Sequence, residues 1–160
     1  MTRVRAGVVD VLVIRELPRS WRVLLLRRAN NTRSPGSWEP VHGRIEPRER
    51  PAAAATRELR EETGFSPDRL YSITVNPFYL RQSDTVELAV VFAAFVGSAR
   101  VQLSAEHDAC EWLTVARATK RCSWPRDAES LTQAWKLLRT GDAGAVEDVL
   151  RITDRRAARS

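Results

Sequence analysis

Apolar side chains are gathered into short runs bounded by polar residues over much of the chain, and in two places they recur at the three-and-four spacing of a helix face. Residues 8–14 and 21–26 are rich in β-branched or bulky apolar side chains, which predicts two strands joined by a turn through Pro18. Residues 30–37 read as a loop and residues 38–41 as a short extended piece. Further strands are predicted at residues 70–75, 86–95 and 110–113. The run ELAVVFAAFV is apolar on both faces, as a central strand covered on both sides requires.

Between these runs, Ala52, Ala55 and Leu59 share one arc of a helix predicted over residues 51–63. Pro51 suits its first position, where no N–H partner is needed, and Gly64 suits a left-handed C-terminal cap. A second helix is predicted from Pro125, with Leu131, Ala134, Trp135 and Leu138 forming its buried stripe and Gly141 ending it. A shorter helix is read over residues 146–152. Strands and helices in this mixed order imply an α/β protein, a mixed sheet covered by helices.

Composition sets the bounds of that picture. A chain of 160 residues with 43% hydrophobic content can bury one core without a disulfide or a structural metal. Residues 1–153 are taken as one domain and residues 154–160 as a disordered basic tail. Cys110 and Cys122 form no CxxC pair and have no histidine at ligand spacing, which points to inert thiols in a reducing, cytoplasmic setting. No segment offers the ~20 apolar residues of a membrane span. The run AGVVDVLVI after Arg3 and Arg5 is broken by Asp10 and lacks the cleavage site of a signal peptide. The net charge of +6 comes from dispersed arginines without interleaved aromatics, which argues against nucleic acid and for steering a small polyanion.

The chemistry is concentrated in residues 43–65, GRIEPRERPAAAATRELREETGF, which hold five acidic residues. Glu58, Glu61 and Glu62 project from one arc of the first helix. Like charges this close disfavour one another unless divalent cations lie among them. Gly43 precedes the helix in a tight bend. Glu49 stands at the entrance, where pairing with Arg57 and complementing the helix dipole both stay open.

Read as Gly, five residues, Glu, seven residues, then RELREETGF, the segment resembles the signature of the Nudix hydrolases at every defined position. The resemblance extends from the first strand to the helix after Trp124. It implies an α/β/α sandwich, a Nudix hydrolase domain over residues 1–153, and hydrolysis of a phosphoanhydride aided by Mg2+, with Mn2+ as an alternative. It also implies that Glu58, Glu61 and Glu62 are metal ligands, joined by the backbone carbonyl of Gly43, with Arg57 and Glu49 in the catalytic machinery. One further carboxylate is expected from the loop AEHDACEW, where Glu106 is the candidate ligand or general base and Asp108 and Glu111 are competitors. The base stays unassigned among Glu58, Glu61 and Glu106.

Substrate contacts are expected from one of the strand-end pair Arg27 and Arg28. His42 replaces the glycine common before the signature glycine and is read as a phosphate donor. The wording SWEPVHG, Arg5, and Ser123-Trp124 with Arg126 resemble the subgroup of dihydroneopterin triphosphate and deoxynucleoside triphosphate pyrophosphohydrolases. Trp124 is open to two readings, stacking on a base or pterin and packing in the core. The expected reaction cleaves a nucleoside or pterin triphosphate to the monophosphate and pyrophosphate. Action on RNA 5′ ends and a non-catalytic nucleotide-binding module are the alternatives, and a homodimer stays open.

Overall fold

The computed structural model describes residues 1–152, so the expected domain end and basic tail fall outside the described residues. Seven strands make one mixed sheet. They are β1 (Arg3–Leu17), β2 (Ser20–Arg28), β3 (Trp38–Glu39), β4 (Val41–Arg44), β5 (Arg69–Leu80), β6 (Thr85–Phe95) and β7 (His107–Leu113). The helices are α1 (Pro51–Thr63), α2 (Val115–Arg121), α3 (Pro125–Leu138) and α4 (Glu147–Leu150).

Two strands lie between neighbours at the centre of the sheet, β1 and β6, and they run parallel. The apolar run expected to be central is indeed interior, between β1 and β5. Alternation along β1 divides the core. Val9, Val11 and Val13 face α1, where Ala54, Ala55 and Leu59 complete one cluster. Leu12 and Ile14 face the other way, against Ala134 and Leu138 of α3. Trp21 meets the rings of Phe95 and Trp135 edge-on, at 5.4 and 4.8 Å. Helix α2 closes a third cluster through Ala118, over Val23 and Leu25. The architecture is the expected α/β/α sandwich.

The sheet forks, and the fork positions the site. β2 pairs with β1 only from Val13 to Leu17, and toward the other end of β1 its place is taken by β4, paired with residues 8–11. β2 diverges to pair with β3 and β7. Pro40 stands at the division, having no N–H to give a ladder, so the extended piece expected at residues 38–41 becomes two strands with different partners.

Several element limits differ from expectation. β1 and β5 run well beyond residues 8–14 and 70–75 because hairpin pairing carries polar residues such as Arg15 and Glu16 into the ladder. Helix α2 was not expected, having only Ala118 buried, and its start is marked by Thr114, whose side chain accepts from the Arg117 N–H. Helix α3 ends at Leu138, and Gly141, with φ of 111°, belongs to the following turn. A 3-10 turn (Gly144–Val146) takes the first part of the short helix expected over residues 146–152. Among the described residues no helix is long and apolar enough to cross a membrane.

Candidate active site

Helix α1 forms as its ends predict, with Pro51 in the first turn and Gly64 at φ of 80° donating back to the Arg60 carbonyl. It carries Arg57, which organises the acidic segment. Its Nε and Nη2 donate to the two oxygens of Glu49 at 2.8 and 3.0 Å, Nη1 donates to Glu58 at 2.8 Å and Glu61 at 3.3 Å, and Nη2 also reaches the Arg44 carbonyl at 2.8 Å. The forked contact decides between the two readings of Glu49: it pairs with Arg57. Those hydrogen bonds, with one from the Glu46 N–H, hold the Glu49 carboxyl down at about 2.

Gly43 and Glu58 are in such close approach that a Cβ at Gly43 would collide with the Glu58 carboxyl, so the strand-to-helix contact requires glycine there. Glu62 is buried, and its Oε2 accepts from the His42 N–H at 3.4 Å. Burial, together with the charges of Glu58, Glu106 and Glu39, pushes its carboxyl up to about 9. Glu58 is raised too, first by burial. Glu61 is exposed and stands outside the cavity described next.

A cavity of about 720 Å³ opens at the fork of the sheet. Glu58, Glu106 and Gly43 make one neighbouring group on its lining, and Trp124, Arg126 and Phe78 make another. Of the expected substrate residues, Arg5, Arg28, His42 and Trp124 line it and Arg27 and Ser123 do not. Arg27 instead pairs with Asp108 at 2.7 Å, and the Ser123 hydroxyl accepts from the Trp38 N–H at 2.9 Å. Glu106 lines the cavity, whereas its competitors do not: Asp108 pairs with Arg27, and Glu111 with Arg117 and Arg121. Trp124 is partly exposed at the start of α3, which separates it from the core reading.

Four buried carboxylates on the cavity wall escaped sequence reading: Asp10, Glu39, Glu87 and Asp127. Asp10 takes His42 Nδ1 at 2.5 Å. Burial alone would lower the His42 imidazole, but the hydrogen bond and charge of Asp10 outweigh it and raise it. Glu39 would be raised by burial, yet hydrogen bonds from His107 and Arg28 hold it low. Burial and the nearby Asp10 charge push Asp127 up to about 7. A charged residue inside an apolar run was the available signal for Asp10 and Glu87.

In this side-chain arrangement, no three carboxylate, imidazole or thiol groups among the described residues close around a common point as metal ligands. Arg57 holds Glu58 and Glu61 in ion pairs. The donors nevertheless fit a hard divalent cation: carboxylate oxygens beside a backbone carbonyl, with Glu62 raised by burial and by repulsion from its neighbours, a repulsion that a cation would relieve.

The NUDIX domain family model matches residues 3–134. The chain belongs to the Nudix family. Its domain is 36% identical over 129 residues to an octanoyltransferase of Myxococcus xanthus, a match covering 79% of this chain and 36% of that protein, so the chain spans about a third of that relative's length. Among solved structures, a Caenorhabditis elegans Ap4A hydrolase is similar with a TM-score of 0.68 and 21% identity, covering 83% of this chain and 97% of that one. The Escherichia coli dihydroneopterin triphosphate pyrophosphohydrolase is similar with a TM-score of 0.67 and 20% identity, again covering 83% and 97%. These two likenesses establish the Nudix fold alone.

Proposed function

We propose that this Nudix hydrolase is a magnesium-dependent pyrophosphohydrolase that cleaves a nucleoside or pterin triphosphate to the monophosphate and pyrophosphate. The observation that carries the reading is the lining of one cavity by both the Glu58 and Glu106 carboxylates and the Trp124 and Phe78 rings. A heterocyclic triphosphate has the matching parts, since its phosphates need cations and its ring needs a flat apolar surface.

Glu58, Glu62 and the Gly43 carbonyl would hold the metal, with Arg57 fixing the direction of Glu58. A bound divalent cation supplies neutralisation of phosphate charge and acidification of water. Arg28 and Arg5 line the cavity and offer guanidinium donors to phosphate oxygens. Glu61 lies outside the cavity and Glu58 is engaged by Arg57, which supports Glu106 as the carboxylate that takes the proton of the attacking water. His42, raised by its hydrogen bond to Asp10, offers Nε2 as a donor to the leaving phosphate.

A panel of nucleoside triphosphates, pterin triphosphate and triphosphorylated oligonucleotides, assayed for pyrophosphate release with magnesium, tests the reading. Glu62→Gln should lower kcat by about 100-fold or more while the metal-free melting temperature holds or rises, since it removes a buried ligand charge and little volume. Full activity of Glu62→Gln would remove the ligand assignment. Turnover confined to RNA ends, or binding without turnover, would replace the proposed substrate.

A further inference from the structure

Arg5 of β1, Glu87 of β6 and Phe78 of β5 stand side by side in register across three neighbouring strands, on the wall of the cavity. Glu87 has 1% of its side chain exposed, near the start of a strand whose next inward residues, Ala89 and Val91, are apolar. Its Oε1 takes Arg5 Nε at 2.5 Å, while its Oε2 receives no donor from the described residues. A buried carboxylate oxygen left without a donor is costly, so the arrangement calls for an N–H from a ligand. The backbone makes room for that oxygen: β1 bulges between Arg5 and Val8, and a Cβ on Gly7 would lie 2.5 Å from Oε2.

Aromatic rings stand beside it. The Arg126 guanidinium carbon lies 4.6 Å from the Phe78 ring centre and 5.0 Å from that of Trp124, and its buried Nε has no acceptor among the described residues. Helix α3 is tied to β5 through Asn76, which donates to Ser130 at 2.8 Å, and Ser130 donates to the Arg126 carbonyl at 2.9 Å. Two aromatic faces and the Glu87 acceptor thus line one cavity, a set that suits a flat conjugated ring carrying N–H donors.

We propose that Glu87 selects the heterocycle, taking rings with two adjacent N–H donors on one edge, as in the 2-amino-4-oxo edge shared by guanine and pterin. Each carboxylate oxygen has two lone pairs, so Oε1 accepts from the ring while keeping Arg5, and Oε2 takes the second donor. An adenine edge sets a ring nitrogen acceptor beside its amino group, which would place lone pair against lone pair. A buried site built for such a pair rejects the wrong edge by more than a hydrophobic slot does. The inference rests on the proposed heterocyclic triphosphate only in that a ring enters this cavity.

Calorimetric titration of GMP, 7,8-dihydroneopterin monophosphate and AMP in EDTA tests it without turnover or metal, so failure of the hydrolase reading would leave this result standing on its own. Wild-type protein should bind GMP or the pterin at least about 10-fold tighter than AMP. Glu87→Gln should bring the ratio near one, while its melting temperature holds or rises because a buried charge has gone. Gly7→Ala, which displaces Oε2 without touching its charge, should also erode the preference. Equal affinity for GMP and AMP in the wild type, or an unchanged ratio in folded Glu87→Gln, would overturn the proposal.

Discussion

Arg57 is the residue through which the acidic segment acquires a shape. Its five donors reach Glu49, Glu58, Glu61 and the Arg44 carbonyl, so the carboxylates are arranged before any substrate arrives. A lysine keeps the charge but cannot span those partners. Arg57→Lys should raise the magnesium concentration needed for half-maximal activity by roughly 10- to 100-fold, the usual cost of losing a group that orients ligands. An unchanged magnesium dependence would show that Glu58 needs no such support. The glutamates of α1 were legible because their spacing repeats a known pattern on one helix. Asp10, Glu87 and Asp127 were not, since each comes from a different element and acquires meaning only when strands more than 70 residues apart are paired, as Arg5 is with Glu87.

At the scale of elements, local chemistry and long-range pairing had different legibility. Helix α1 was readable to the residue because Pro51 and Gly64 act within one turn of its ends. The limits of β1 and β5 were not, because what extends them is a partner strand and not their own apolar content. The same contrast explains Arg27 and Arg28: adjacent in sequence, they alternate across the strand, so Arg28 turns to Glu39 and the cavity while Arg27 turns to Asp108. The cap of α1 offers a clean test. Gly64→Ala forces a side chain into a left-handed conformation and against Gln102, at a cost of about 1–2 kcal/mol. The melting temperature should fall by roughly 2–8 °C while the rate per folded molecule is kept. A neutral substitution would mean the cap relaxes without penalty.

For the whole molecule, Glu62 links the site to stability. Its folded carboxyl lies at about 9 in the metal-free protein, above its unfolded value of 4.5, so the native state holds the extra proton between those limits. Metal-free stability should therefore decline as pH rises through that window, by up to about 1.4 kcal/mol per pH unit. Magnesium competes with that proton, so the melting temperature it adds should be larger at about pH 8.5 than at about pH 6. Equal increments at both pH values would detach Glu62 from the ion. The fold class, a mixed sheet covered by helices, was legible from the order of elements, and the resemblance to the Nudix family narrowed it to an α/β/α sandwich. The fork was not, because one proline at residue 40 reassigns a short extended piece to two partners without altering its apolar pattern.

The parallel union of the first strand with β6 has a kinetic consequence. During synthesis the acidic helix emerges early and complete, but residues 3–14 stay without their main neighbour until residue 95 has left the ribosome. The pocket wall that carries Trp124 and Arg126 follows later still. A nascent chain therefore displays its carboxylates long before it owns a place to put a substrate, and the cavity is whole only once Trp124 and Arg126 have emerged.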